Sequence, residues 1–238
     1  MTIMVDYTLG ENEYGKYAVP TSTLEIETLS RMIVAGQVYE PETIRFILDN
    51  CGSGGIIHAG AFFGDFLPAL GGTGNHVLAF EPVYESFWCA CETVRLTFGE
   101  DHKVHVFNYG LGEKEEVLSI ITKDPAGRSM GGRPKYGDGD KLPSERVEET
   151  RVVTLDGMVA SLGVKFDEFS IIHLDVEEHE EQALKGAMEI VRASKPILIL
   201  ECWDERSLDT PFFHEKIYPM GYVRGENLGN DNIVLRIR

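Results

Sequence analysis

Residues Gly55–Pro82, GIIHAGAFFGDFLPALGGTGNHVLAFEP, read as strand, glycine turn, short helix, second strand and a terminal carboxylate. Gly55–Ala59 is a short apolar run with β-branched Ile56 and Ile57, suited to a buried strand. Gly60 and Gly64 follow at once, and helical apolar spacing resumes through Phe66, Leu67 and Leu70. His76–Phe80 forms the next strand, closed by Glu81-Pro82. A first βαβ half-unit of this kind holds nucleoside-bearing cofactors: glycines let the backbone approach the ligand, and the acid takes the ribose hydroxyls. Glu81 lies 17 residues after Gly64, near the spacing this arrangement needs.

The flanking chain extends the pattern. Met1–Pro20 is polar with scattered aromatics and no period, an arm that reads either as a lid or as a reach to a neighbouring subunit in a homo-oligomer. Ser22–Glu25 has the form of a capping box, with Ile26, Leu29 and Ile33 following at helical spacing. A second helix begins near Pro41. Tyr84, Phe87, Trp88, Cys91, Val94 and Phe98 place an aromatic stripe on one helix face, read as packing against the sheet, and Gly99 ends that helix. Strands are predicted over 103–108, 116–122, 151–155, 170–174 and 196–200, with one helix between Asp175 and Ala193. Thr210-Pro211 opens a further helix, and 221–224 with 232–237 form a terminal antiparallel pair. Alternating strands and helices imply a mostly parallel sheet covered on both faces. Residues 125–150 break the pattern: glycines 127, 131, 132, 137 and 139 and many charges predict a long loop, either solvated or a substrate lid, with Arg128, Arg133 and Lys135 as a local positive patch.

Composition narrows the partners. Of 238 residues, 43% are hydrophobic and 26% charged, which suits a soluble domain with a core. The net charge of -17 argues against a nucleic-acid backbone as partner, because phosphate contacts need clustered Lys and Arg. Cys51, Cys89, Cys91 and Cys202 form no C-x-x-C pair, so reduced thiols in a cytoplasmic protein are expected, with no membrane span.

Ligands of open α/β sheets sit beyond the carboxyl ends of the strands. That places His58–Gly64, Glu81, Asn108-Tyr109, Asp175 and Glu201 around one crevice. His173-Leu-Asp175-Val-Glu177-Glu178-His179-Glu180-Glu181 is the densest cluster. Acids suit a helix N-terminus, and Glu181 pairs with Lys185 at i,i+4. The alternative gives Asp175 and His179 to the crevice as general base or metal ligands. His173 and Asp175 share a strand face, so one could orient the other, although a satisfied structural histidine also fits His173.

Together these residues resemble the FkbM family of S-adenosylmethionine-dependent methyltransferases, from about Tyr39 to the C-terminus. The first motif stands as His58-Ala-Gly60-Ala61-Phe62-Phe-Gly64, and the A-F-E-P element as Ala79-Phe80-Glu81-Pro82. Asn108 with Gly110-Leu-Gly112, Thr154-Leu155-Asp156, and Asp175-Val-Glu177-Glu178-His179-Glu180 follow in the family's order. Departures are His58 for the usual Asp, Phe62 for Asn, His173 for Lys and Glu178 for Gly. The resemblance implies an α/β, Rossmann-like class I methyltransferase fold, with a mostly parallel seven-stranded sheet, helices on both faces and a C-terminal antiparallel pair. It implies an arm and helix over 1–38 and a methyltransferase domain over 39–238. It further implies O-methylation of a small-molecule acceptor such as a sugar, lipid or secondary metabolite, with S-adenosylmethionine as cofactor. Cofactor contacts would then fall to His58, Gly60, Ala61, Phe62, Gly64, Glu81, Pro82, Asn108 and Tyr109, catalysis to Asp175 and His179, and none to a metal. A nicotinamide-dependent oxidoreductase and a non-catalytic binding or scaffold protein are the rival readings; the missing G-x-G-x-x-G argues against the first.

Overall fold

The computed structural model describes residues 5–137, 141–165 and 167–238. Residues 1–4 of the arm and Gly139 of the long loop lie outside the described residues. The apolar runs form the expected sheet: β3 (Gly55–Ala59), β4 (Val77–Phe80), β5 (Val104–Phe107), β10 (Phe169–Leu174) and β11 (Ile197–Glu201) are parallel, and β12 (Tyr222–Asn227) and β13 (Asn232–Ile237) close one edge antiparallel. The order β12-β13-β11-β10-β3-β4-β5 reverses direction between β3 and β10. Residues alternate between two cores. Ile57, Leu78, Ile172 and Leu198 face α5 (Leu155–Ser161), α6 (Glu180–Lys185) and α7 (Met188–Ser194). Ile56, Val77, Ile171 and Ile199 face α2 (Pro41–Asn50), α3 (Leu67–Gly71) and α4 (Tyr84–Phe98).

Five local expectations are corrected. The N-terminal arm is an antiparallel hairpin, β1 (Tyr7–Asn12) and β2 (Gly15–Pro20), with Tyr17, Ala18 and Val19 fully buried. It is fastened to α4 at two threonines one turn apart: Thr93 Oγ1 accepts from Ala18 N (3.0 Å) and Thr97 Oγ1 donates to the Lys16 carbonyl (2.8 Å). The capping box does not form, and α1 (Thr28–Val34) starts at Glu27 with no side-chain cap. The hydroxyls are engaged elsewhere, Ser22 with Glu85 and Thr23 with the Pro20 carbonyl. On α4 the buried face is the small set Ser86, Cys89, Ala90, Thr93 and Val94, while Trp88 flanks it against Tyr7 and Tyr84 is exposed. A helix squeezed between the sheet and the hairpin has room for small residues on its central stripe.

The fourth and fifth corrections concern irregular segments. Residues 110–153 build a second sheet, in the order β6 (Gly110–Leu111), β9 (Val147–Val153), β7 (Glu116–Ile121) and β8 (Lys135–Tyr136). β9 hides only Thr150, Val152 and Val153, so its exposed half read as loop in the sequence. The helix after Asp175 is broken at Gly186, whose carbonyl accepts from Asp156 N (2.9 Å). Asp156 also caps α7, accepting from Glu189 N (2.8 Å) and Ile190 N (3.1 Å), while Thr154 caps α5 through Gly157 N (3.1 Å). The Thr-Leu-Asp element is thus a double cap joining two helices. A Cβ at Gly186 would run into the Gly112 carbonyl oxygen. Gly186→Ala is therefore expected to cost about 1–3 kcal/mol by overpacking, read as a lower midpoint in urea unfolding.

Candidate functional site

Gly60 sits where the strand order reverses. Its amide and that of Ala61 both donate to the Phe80 carbonyl (3.0 Å each), folding the chain sharply off β3. Gly60 has φ +84°, and a Cβ there would collide with the Asp175 carbonyl oxygen. Asp175 N in turn donates to the Ala59 carbonyl (3.0 Å), tying the end of β10 to that of β3. Gly64, also at φ +84°, serves packing, since it lets the turn approach Ala90 and Thr93 of α4.

Beyond these strand ends opens a cavity of about 330 Å³, within the range of small-molecule sites. His58, Gly60, Phe62, Glu81, Pro82, Tyr109 and Asp175 line it, as the sequence reading grouped them. Ala61, Gly64, Asn108 and His179 are outside the lining. Ala61 is core, and Asn108 Nδ2 clamps the strand end by donating to the Glu81 (2.9 Å) and Pro82 (3.0 Å) carbonyls. His179 lies against Tyr136, ring centroids 4.7 Å apart, and it is Tyr136 that reaches the cavity. Asp175, Glu177 and His179 therefore do not converge, and no group of three or more His, Cys, Asp or Glu among the described residues is arranged to hold a metal ion.

Glu81 is 5% exposed and accepts from Phe62 N and Val83 N, one carboxylate oxygen each at 2.8 Å. Burial pushes it up to about 8 despite both bonds. Other carboxyls also line the cavity. Burial raises Asp65 to about 8 and Glu40 and Glu177 to about 7. Asp175 stands well above the usual carboxylate range, first through lost hydration and then through the Glu201 carboxyl at the neighbouring strand end. Sequence reasoning placed Glu177 and Glu201 but missed Glu40, Asp65 and Tyr39. Glu40 stands immediately before Pro41 and Asp65 immediately after Gly64, the two local signals that were available.

His58 and His173 are register partners on β3 and β10, and their rings stack 4.9 Å apart with Nδ1 to Nδ1 at 3.0 Å. His173 Nε2 bonds Asn232 Oδ1 (3.1 Å), so His173 engages β3 and β13 through both ring nitrogens rather than orienting Asp175. The long loop contributes Gly131–Pro134 and Tyr136 to the cavity, with Gly132 over the Phe62 ring and Arg133 bound to Glu27 (3.3 Å). Backbone strain gathers here too. Glu40, Phe62, Glu177, Asn230 and Asp231 all line the cavity with positive φ. For Phe62 (φ 44°) this is a true outlier, the position where the resembling family carries Asn.

A glycine turn at the sheet's reversal point, a buried acid at the next strand end and a paired carboxylate beyond it form a nucleoside-cofactor crevice. Comparison with known proteins gives it a family. A family model described as the methyltransferase FkbM domain matches residues 58–218. Among solved structures the chain resembles the methyltransferase FkbM from Methylobacillus flagellatus KT, with a TM-score of 0.51 at 20% identity over 78% of this chain and 44% of that one. The chain thus spans less than half of that protein's length. It also resembles TYW2 of M. jannaschii, solved in complex with AdoMet, with a TM-score of 0.50 at 10% identity over 99% of this chain and 85% of that one. At such identities the likeness is one of fold. No curated protein matches the sequence. The architecture is that of class I methyltransferases, and the chain belongs to the FkbM methyltransferase domain family.

Proposed function

We propose that the chain transfers a methyl group from S-adenosylmethionine to a hydroxyl of a small molecule. The observation that carries this is Glu81, a buried carboxylate at the end of β4 beside the Gly60 turn. The residues fit the cofactor: the turn has no room for a Cβ, the acid is sequestered from water, and His58 Nε2 is buried without a partner. Bound there, the cofactor supplies an electrophilic methyl group on a sulfonium centre. Glu81 takes the ribose hydroxyls, the Gly60 turn admits the amino-acid end, and Tyr109, steadied by Arg151 at 5.6 Å from its ring centre, borders the adenine. Positioning supplies much of the rate in such an in-line transfer.

A hydroxyl acceptor must lose its proton, and Asp175 with Glu201 provides the base. Burial, and then the neighbouring Glu201 carboxyl, raise the proton affinity of Asp175 above that of an ordinary carboxylate, which strengthens it as a general base. His179, proposed from the sequence as a second base, is better assigned to holding Tyr136. Residues 131–136 cover the acceptor side. Within segment 1–38, the stretch carrying Glu27, Thr28 and Leu29 acts as a lid on domain 39–238, because these three residues line the same cavity. The free cysteines suit the cytoplasm, and no helix among the described residues is long and apolar enough to cross a membrane.

Equilibrium titration of the full chain tests the cofactor assignment. S-adenosylmethionine and S-adenosylhomocysteine are expected to bind and NAD not to. Tight NAD binding with no binding of either S-adenosyl compound would overturn the proposal.

A further inference from the structure

The positive patch of the long loop borders the cofactor crevice and opens on a cavity of its own. Residues 123–135 carry Lys123, Arg128, Arg133 and Lys135 against one acid, Asp124, in a chain of net charge -17. The fold brings three of these cations to a second cavity of about 450 Å³. Arg128, Arg133 and Lys135 line it together with Trp203, and its acids among the described residues are Asp124 and Glu177. Arg133, Glu177 and Trp203 line the cofactor cavity as well, so the two chambers meet at these residues.

The three cations differ in what they have left to donate. Arg128 is occupied: its Nε and Nη2 both go to Asp124, at 2.9 and 2.7 Å. Arg133 donates through Nη2 to Glu27 at 3.3 Å, and Lys135 contacts Glu178 at 3.3 Å. A guanidinium has five N–H groups and an ammonium three, so both keep donors in hand. Their side chains are about half exposed, and exposed pairs of this kind contribute little, so an arriving anion competes with them at small loss. Both cations also draw the Glu177 carboxyl down against its burial, so their field reaches the junction of the chambers. Salt confines the repulsion of the wider acidic surface to about 8 Å, which leaves the local patch to decide what binds there.

Trp203 supplies a second element. It stands just past the end of β11, is 57% exposed, and has Lys135 Nζ 5.9 Å from its ring centre. An indole open at the junction of two chambers is a stacking surface for a ligand ring. Beside it, Glu177 and Glu201 each keep one buried oxygen, Oε2, without a partner. Such oxygens accept from hydroxyl groups. Phosphate and carboxylate are in turn the groups that a free guanidinium edge meets through paired bonds. One ligand satisfies all three.

We propose that the second cavity binds the acceptor, and that the acceptor is a hydroxylated ring carrying a phosphate or carboxylate. Arg133 and Lys135 hold its anion, and Trp203 stacks on its ring. That the bound anion is the methyl acceptor rests on the methyltransferase reading; the anion site itself does not.

Titration of the full chain with glucose, glucose 6-phosphate and glucuronate tests the inference by calorimetry and by tryptophan fluorescence. Of the two tryptophans, only Trp203 lines either cavity among the described residues, so the fluorescence response should vanish in Trp203→Phe. At least one charged compound is expected to bind about tenfold or more tightly than glucose, with a preference that shrinks as salt rises. The pair of compounds then shows whether phosphate or carboxylate is favoured. Combining Arg133→Gln with Lys135→Gln should bring the preference toward one. Glu178→Gln releases Lys135 and should tighten the charged compounds by about a few-fold, which mere structural damage would not do. Protein saturated with S-adenosylhomocysteine is expected to bind the charged compound still. Equal binding of all three compounds, or no binding of any at millimolar concentration, would overturn the inference. Displacement of the charged compound by S-adenosylhomocysteine would put the anion in the cofactor's own place and overturn the acceptor assignment. If S-adenosylhomocysteine fails to bind while a charged compound binds, the methyltransferase reading fails and the anion site stands. Should the double variant not fold, the wild-type preference and Glu178→Gln still decide.

Discussion

Glu81→Ala is expected to weaken S-adenosylhomocysteine binding by about a hundredfold or more, the largest binding effect of any single side chain in the site. A carboxylate that accepts from two ribose hydroxyls contributes about 1.5–3 kcal/mol through each bond, and about 1.4 kcal/mol is a factor of ten. The same substitution strands Phe62 N and Val83 N, which Glu81 now satisfies at 2.8 Å. Each buried unpartnered amide costs about 1–3 kcal/mol, so the variant should also unfold at lower temperature. Glu81→Gln separates the two effects. It keeps the volume and one of the two acceptor oxygens, so stability should return in part while affinity stays reduced. Calorimetry on both variants checks this, and an unchanged dissociation constant in Glu81→Ala would remove the carboxylate from the cofactor site.

Raising the pH should destabilise the ligand-free protein, the reverse of ordinary acid unfolding. Burial is the first cause of elevation in Asp65 and Glu81 (about 8) and in Glu40, Glu177 and Glu180 (about 7), and it also holds Asp175 well above the usual carboxylate range. An elevated carboxyl holds its proton in the folded state after the unfolded chain has released it. Stability from that proton is fully present below the unfolded value, near 4, and is lost as pH rises through the folded value, near 7 or 8. Within that window each such group contributes a slope of about 1.4 kcal/mol per pH unit. The melting temperature should therefore fall steadily between about pH 5 and about pH 8. Self-repulsion at a net charge of -17 acts in the same direction, so a second measurement is needed. Asp65→Asn removes one proton site with little change in total charge, and its melting temperature should fall less steeply. A melting temperature that rises from pH 5 to pH 8 would show these carboxyls to be ionised and hydrated in the folded chain.

The sheet was legible because its strands are buried on both faces and read as unbroken apolar runs, from Ile56-Ile57 to Ile197–Leu200. The second sheet was not, because a ribbon with one wet face needs few apolar residues, and Glu148, Glu149 and Arg151 obscure its period. The break at Gly186 depends on Gly112, far away in sequence, and so does the use of Asp156 as a cap for α7. For the site, Gly60, Glu81 and Asp175 followed from the rule that ligands sit at strand ends. Glu40 and Asn232 enter from the start of α2 and from the last strand, and only folding brings these residues, 192 positions apart, to 2.7 Å. His179 lies in the same acidic run as Asp175, yet the chain turns over Glu177 and Glu178, both at positive φ, and carries it behind Tyr136.

The left-handed residues around the cavity set where this molecule is cheapest to improve and dearest to alter. Glu40, Phe62, Glu177, Asn230 and Asp231 each hold a conformation that a glycine would adopt without penalty, at about 1–3 kcal/mol for the bulkier ones. Selection for heat resistance alone would therefore begin its gains at the mouth of the crevice, and every such gain would slacken the wall that shapes it. Stability and recognition compete in this protein over the same few peptide units.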